Sequence, residues 1–441
     1  TEGLFQNEYR QVNKNSKHIA DFSLKEKNST SKTHFFSNSL VKLDINTFDI
    51  SEVELNLETT SDDKYLKTHN IKSDVNNNQS LLKSFLIFRG SSRDIDLETK
   101  FESYEDLTKA KSSDKYEYIF PSYKFSKRFP SNYNGTYELI SKGNYKNYDT
   151  NIFEKVLIND IKFSSNPKIS PQGFINKFNL LLKNITAEGE NSSDYKNKFS
   201  SENYGSIFYD VSYPMKKEGN FFDSFFSAKG SLMYSPNSNK DIKSLDRKID
   251  INNIFTQNRL SLDDSVEGGQ SLTIGGEYSL KSKENDNDVV VAGLATVLRD
   301  KEEINLPNKS TLNNKGSDLI GSLVFEPNQN FKIDYNFSMD NDFESTNYNL
   351  LKTDIKVNKF VTSFEFLQED DEVGSESYLS NETSFDFNSA NSLKYRTRRN
   401  KKTDFTEFYN LIYEYKNDCL TAAIQYNKDY YSDNELKPTE E

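Results

Sequence analysis

A chain of 441 residues with a formal net charge of −12 carries too little excess positive charge to track a phosphate backbone, which excludes DNA and RNA as partners. Its 28% charged residues and mean hydropathy of −0.82 would permit disorder, but 33 Phe and 26 Tyr in a chain without Trp are rings that must be buried or anchored. No run reaches the roughly 20 apolar residues of a spanning helix; the longest, VVVAGLATVL (289–298), is bounded by Asp288 and Arg299.

The opening TEGLFQNEYR has neither a basic start nor an apolar core and reads as the beginning of a mature or truncated fragment. The three histidines, His18, His34 and His69, lie in separate polar stretches without ligand spacing and read as surface residues outside any clear strand. EVELNLE (52–58), DIDLETKF (94–101) and YGSIFYDVSY (204–213) then alternate with period two, the signature of strands with unlike faces. SLTIGGEYSLK (271–281) places Leu272, Ile274, Tyr278 and Leu280 on one parity and Ser271, Thr273, Glu277, Ser279 and Lys281 on the other. FKIDYNFSMD (331–340) is cleaner still, with Phe331, Ile333, Tyr335, Phe337 and Met339 alternating with polar residues. YNLIYEY (409–415) and LTAAIQY (420–426) continue the pattern to the end. The connectors 282–288, 326–330 and 340–346 are rich in Asn, Asp and Ser, the chemistry of hairpin turns.

With no amphipathic helix long enough for a crossover, the sheet is expected to be an antiparallel meander. Alternating runs of ten or eleven residues and the absence of Pro/Gly/Ser-rich joints favour one up-and-down barrel over stacked sandwich modules. At about 18 residues for each strand and loop, the chain holds roughly two dozen strands. Tyr204, Tyr213, Tyr409 and Tyr415 sit near run ends, where they suit either interfacial girdles or ordinary strand formation.

Catalytic signatures are missing: there is no nucleophile elbow, phosphate loop or dinucleotide fingerprint. No cofactor, metal or enzymatic role is expected. The acidic runs 284–288 and 340–344 lack the twelve-residue calcium-loop pattern and read as solvated hairpin tips. Cys419 is the single cysteine, and beside an alternating strand it is read from the residues alone as a small half-buried filler.

The stretch NIFTQNRLSLDDSVEGGQSLTIGGEYSL (253–280) resembles the most distinctive barrel segment of the lipopolysaccharide-assembly family LptD, in an alphaproteobacterial-like form. The likeness rests on Phe255, Asn258, Arg259, Asp264, Glu267, Gly268 and Gly269, with departures at Leu262, where the family has Gly, and at Ser265, where it has Arg. AKGSLMYSPN (228–237), EYRQ (8–11), SLKYRTRRN (392–400) and YEYKNDCL (413–420) are similar to other family pieces, in family order. Within the turn 263–269, Gly268 and Gly269 are expected to supply positive φ.

The resemblance implies a large outer-membrane barrel spanning 1–441, incomplete at both ends, without a preceding periplasmic jelly-roll domain or a final closing strand. It implies an LptE-like lipoprotein plug in the lumen and an LptA-like periplasmic bridge. It further implies lipopolysaccharide as cargo for the outer leaflet, and outer-membrane lipids around the barrel of a Gram-negative cell. It also implies that Cys419 forms a disulfide to a cysteine outside this sequence. A porin or nutrient-uptake barrel is the alternative use of the same architecture.

Overall fold

The alternating stretches are strands. The computed structural model describes residues 3–27, 30–109, 115–149, 151–417 and 420–429. They fall into two compact units, residues 1–165 with 180–205 and residues 166–179 with 206–441.

The first unit carries β1 (Gly3–Val12), β2 (Ser16–Lys27), β3 (Thr30–Leu43), β4 (Ile50–Thr60), β5 (Leu81–Ser91), β6 (Ile95–Asp106), β7 (Tyr116–Ser131), β8 (Gly135–Tyr148) and β9 (Ile152–Ser165). From β1 through to β9 each pairs antiparallel with its neighbour in the chain, as Gln6 with Ser23, Phe22 with Phe35 and Leu55 with Leu86, and β9 pairs onward with β11. A single turn of helix, α1 (Tyr65–Thr68), lies between β4 and β5. After the two-residue β10 (Lys168–Ile169), β11 (Ile175–Glu190) and β12 (Ser200–Glu218) are each divided between the units.

The second unit continues with β13 (Phe222–Ser235), β14 (Gly269–Ser282), β15 (Asp288–Arg299), β16 (Leu319–Asn328), β17 (Phe331–Met339) and β18 (Thr346–Val357). It ends with β19 (Phe360–Glu369), β20 (Ser377–Asp386), β21 (Asn391–Asn400), β22 (Phe405–Lys416) and β23 (Thr421–Asp429). Consecutive strands again pair antiparallel, as Leu232 with Leu272, Ala295 with Ile320 and Tyr335 with Leu351. The fold is therefore all-β and antiparallel, with the expected meander inside each unit. No helix among the described residues is long and apolar enough to cross a membrane, which does not bear on crossing by strands.

Turn chemistry follows the sequence. Asn134, Asp286, Asn358 and Asp404 take φ between +52° and +59° in their connections, a left-handed conformation that short amide and carboxylate side chains tolerate. At 340–345 the Asp340 carboxylate accepts from Glu344 N at 2.9 Å and Ser345 Oγ at 2.8 Å. This acidic tip thus closes its own turn. Because successive strands reverse direction, connections fall at alternate ends. In the second unit the long ones, 236–268 and 300–318, share one end, and in the first unit 61–80 is the longest described connection.

The two faces of the strands are chemically opposite, and the burial is inverted relative to a water-soluble sheet. On β2, Asp21 and Ser23 are buried while Phe22 and Leu24 are exposed. On β14, Ser271 and Thr273 are buried and Ile274 is 48% exposed; on β15, Arg299 is buried and Leu294 and Leu298 are exposed. On β7 and its neighbour, Tyr116, Tyr118, Phe120 and Phe101 form an exposed row with centroids 5.7–6.3 Å apart. Long loops cover the polar face, and the apolar face is left bare. Of the tyrosines at run ends, Tyr204 packs on the covered side against the Val156–Ile158–Ile185–Ala187 cluster, so it belongs to no outer girdle.

This inversion predicts that Leu294→Arg, on the bare face, lowers the stability of membrane-inserted protein by about 2 to 4 kcal/mol near the bilayer midplane, whereas Ser279→Arg, on the opposite parity, is tolerated. Refolding yield into lipid vesicles, followed by heat-modifiable gel mobility, measures both. Equal loss at the two positions would contradict a two-faced membrane strand.

Candidate functional site

The segment expected to be a turn at 263–269 is the end of a long loop, 236–268, with a core of its own. Ile242, Ile249, Ile254, Leu260 and Leu262 from this loop pack with Leu306 and Leu312 from loop 300–318, and with Ala295, Val297 and Ile320 from the strands beneath. Phe255, one of the motif residues, packs against the cluster, and Lys229 Nζ lies 5.6 Å from its ring centroid. Apolar loop side chains find partners here because the covered row of β15 is itself apolar at Ala295 and Val297 and turns polar only at Arg299.

Asn258 shapes the chain within the loop. Its Nδ2 donates to the Leu262 carbonyl and its Oδ1 accepts from Leu262 N, both at 2.9 Å, while Ser261 takes φ +52°. Leu262, where the resembling family has Gly, is a buried core residue. Asp264 receives Lys240 Nζ at 2.7 Å at the margin of the loop.

Arg259, Glu267 and Arg299 meet beneath this loop core, and their side chains are 3% exposed or less. Arg259 Nε donates to Glu267 Oε2 at 2.8 Å and Nη2 to Oε1; Nη1 reaches Thr273 Oγ1 at 3.1 Å and Nη2 reaches Ser271 Oγ at 2.8 Å. Arg299 donates to Glu267 Oε1 and to the Gly268 carbonyl. One carboxylate thus bridges two guanidiniums and ties the loop to β14 and β15. Burial opposes the Glu267 charge, but Arg259 and Arg299 outweigh it and hold the carboxyl below its ordinary value of 4.5. With its carboxylate paired to both guanidiniums, the cluster acts as an electrostatic lock between the loop and the strands.

The two glycines serve this lock in different ways. Gly269 has φ +88°, as expected. Gly268 does not adopt positive φ; its requirement is space, since a Cβ there would lie 2.2 Å from the Asn237 carbonyl oxygen. Its N–H donates to Asn239 Oδ1 at 2.7 Å, and Asn239 Nδ2 donates to Glu303 at 2.7 Å. The motif positions Arg259, Glu267, Gly268 and Gly269 therefore converge, while Asn258 and Asp264 support the loop from its edge. Arg299, Asn239 and Glu303 were not legible as partners, because they lie outside the motif and reach it only through folding. Cys419 lies outside the described residues.

A second polar cluster corrects the reading of the histidines. His18 lies on β2, half-buried, with Nδ1 3.0 Å from Ser39 Oγ. His34 lies on β3 and is 2% exposed, with Nδ1 2.6 Å from Ser23 Oγ and Nε2 3.4 Å from Asp21 Oδ1. His69 is half-buried against the Tyr65 ring. The polar flanks of His34 suggested solvent, but its parity turns it to the covered face. Ser23, His34 and Asp21 have the residue types of a hydrolytic triad, yet Ser23 is 1% exposed and its hydroxyl is 2.7 Å from Tyr65 OH. A substrate carbonyl has no route to that oxygen while segment 61–80 covers it.

For the lock, Glu267→Gln leaves two buried guanidiniums without their anion, and a loss of about 3–5 kcal/mol is expected from breaking a buried pair at one partner. A carboxyl depressed in the folded state stabilises fully above its unfolded value near 4.5 and loses that contribution as pH falls through the folded value. Thermal unfolding in detergent between pH 3 and pH 7 should show this acid-side loss in the parent and not in Glu267→Gln, with the pH limits set around the carboxylate range. The same acid-side slope in both proteins would remove Glu267 as its source.

Among solved structures, the FpvAI–pyocin S2 complex is similar at 10% identity and TM-score 0.31, over 97% of this chain and 65% of that one. The ferric-catecholate import receptor Fiu from E. coli K12 is similar at 7% identity and TM-score 0.31, over 96% of this chain and 76% of that one. This chain thus spans 65% of the length of the first, and at these scores neither likeness carries an argument. No protein of curated function matches the chain. The family model described as LptD, LPS transport system D, matches residues 42–372, which include the lock and most of the strands. Three-quarters of the sequence, read together with strands that bury their polar row, thereby places this chain in the LptD family of the Gram-negative outer membrane.

Proposed function

We propose that this chain is the barrel portion of an outer-membrane translocon that receives lipopolysaccharide from a periplasmic bridge and inserts it into the outer leaflet. The observation that carries this reading is the inverted polarity of the strands: one face offers lipid a bare apolar surface, and the other offers a saccharide carboxylates, amides and hydroxyls. Closed into a barrel, such a sheet has a hydrated lumen and a lipid-facing wall. The end that bears the long connections is the cell-exterior end, since outer-membrane barrels have short periplasmic turns and longer external loops. Loops 236–268 and 300–318 then fold back from outside over the lumen-facing row.

An LptE-like lipoprotein plug and an LptA-like bridge are the partners this role requires. Affinity purification of the full-length protein from its own outer membrane should recover a small lipoprotein in stoichiometric amount. Purified protein that recovers no lipoprotein and conducts ions by itself would support the porin alternative instead.

Cys419 belongs to this proposal through the family resemblance. Lys416, which ends β22, and Thr421, which begins β23, pair at the short-turn end of the second unit, the periplasmic end in this orientation. An oxidising compartment would pair such a thiol, and we assign it a disulfide to a cysteine outside this sequence. Peptide mapping of mature full-length protein should find Cys419 resistant to alkylation until reduced; a freely alkylated Cys419 in active protein would return it to the role of filler.

A further inference from the structure

Segment 61–80 lies over the same face of the first unit that carries Asp21, Ser23 and His34. Tyr65, Leu66 and Ile71 enter a cluster with Phe36, Leu82 and Leu107, no member of which is more than 5% exposed. Ion pairs hold its start, Lys32 to Asp62 at 2.8 Å and Lys115 to Asp63 at 2.7 Å, and Asn76 Nδ2 donates to Glu58 at 2.6 Å near its end. Seated in this way, the segment reaches across to the first strand. Gln6 Nε2 donates to the Lys72 carbonyl at 2.9 Å, and Arg10 donates to Asp74.

Gln6 also ties into the buried polar row. Its Nε2 lies 3.2 Å from both Asp21 carboxylate oxygens; Asp21 faces His34, His34 meets Ser23, and Ser23 meets the Tyr65 hydroxyl. Polar contacts therefore run from β1 through β2 and β3 into the segment, with the Asp21–His34 step a 3.4 Å approach. β1 has need of it. Among the described residues its ladder is to β2 alone, and each of its residues is exposed. A strand laddered to one described neighbour draws its remaining restraint from contacts across the face of the sheet.

We propose that segment 61–80 is a clasp that fastens the first strand to the sheet across its polar face, so that β1 separates from β2 only after the segment lifts. The apolar pegs seat the clasp; Gln6 and Arg10 are the points where β1 is caught. How firmly β1 is held to β2 is thereby set by a connection that is remote from it in sequence. This inference goes beyond the transport reading and does not depend on it.

Amide hydrogen exchange on the detergent-solubilised full chain tests it, with β17 and β18 as internal reference. In Leu66→Ser, which weakens the seat, exchange of residues 61–80 and of residues 3–12 should rise together, by about ten-fold or more, with the reference unchanged. The double variant Gln6→Leu with Arg10→Leu leaves the pegs intact, and should raise exchange in 3–12 while 61–80 stays protected. If the first variant does not fold, the second decides alone. Exchange in 3–12 that remains at the parent level while either the seat or the catch points are lost would overturn the clasp.

Discussion

Every peptide N–H and C=O of a sheet in hydrocarbon has to be satisfied by a neighbouring strand, because no water is there to accept or donate. That constraint accounts for the long antiparallel ladders, the near absence of helix among the described residues and the meander inside each unit. It also dictates side-chain placement. Once the backbone is satisfied, period-two alternation forces one row of each strand toward lipid and the other away from it, so Leu294 and Leu298 are exposed while Arg299 on the same strand is buried.

A polar row turned inward creates a second problem, since buried charges are costly unless paired. The structure meets it repeatedly by pairing. Glu267 is held between Arg259 and Arg299 and Lys183 lies 2.9 Å from Asp160, while the more exposed Arg89 is shared among Glu52, Glu54 and Glu98 at 2.8–3.3 Å. Where the row turns apolar, at Ala295 and Val297 or at Phe36 and Leu82, a long connection supplies matching apolar side chains. The loops over the polar face are thus anchored by two kinds of contact. Apolar clusters seat them, and ion pairs or hydrogen-bond chains fix their register.

The members of the candidate lock within 253–280 come into view through the family resemblance, as motif positions, and not through any expectation that they would pair. That Arg259 and Glu267 pair with each other is seen only in the folded loop. Gly269 behaves as a turn glycine should. Gly268 looked the same but is constrained by the Asn237 carbonyl, and no local pattern reports the approach of a backbone from another part of a loop. His34 shows the opposite failure. Its flanking polarity suggested the surface, yet its parity with Phe36, and the arrival of Tyr65 and Leu66, decide its burial.

Alternation by itself determined the class of this protein: strands throughout, antiparallel order, and two chemically distinct faces, because a period of two is a property of each strand and needs no partner to be visible. The ordered motif pieces determined the family in the same local way. Which face is covered was decided only in three dimensions, as were the pairing of Arg299 with a motif it does not belong to, the growth of an expected turn into a loop with its own core, and the seating of segment 61–80 against β1. Each of these depends on contacts between residues distant in the chain, whose energies come from excluding water and neutralising buried charge. Those energies exist only once the strands have brought the residues together.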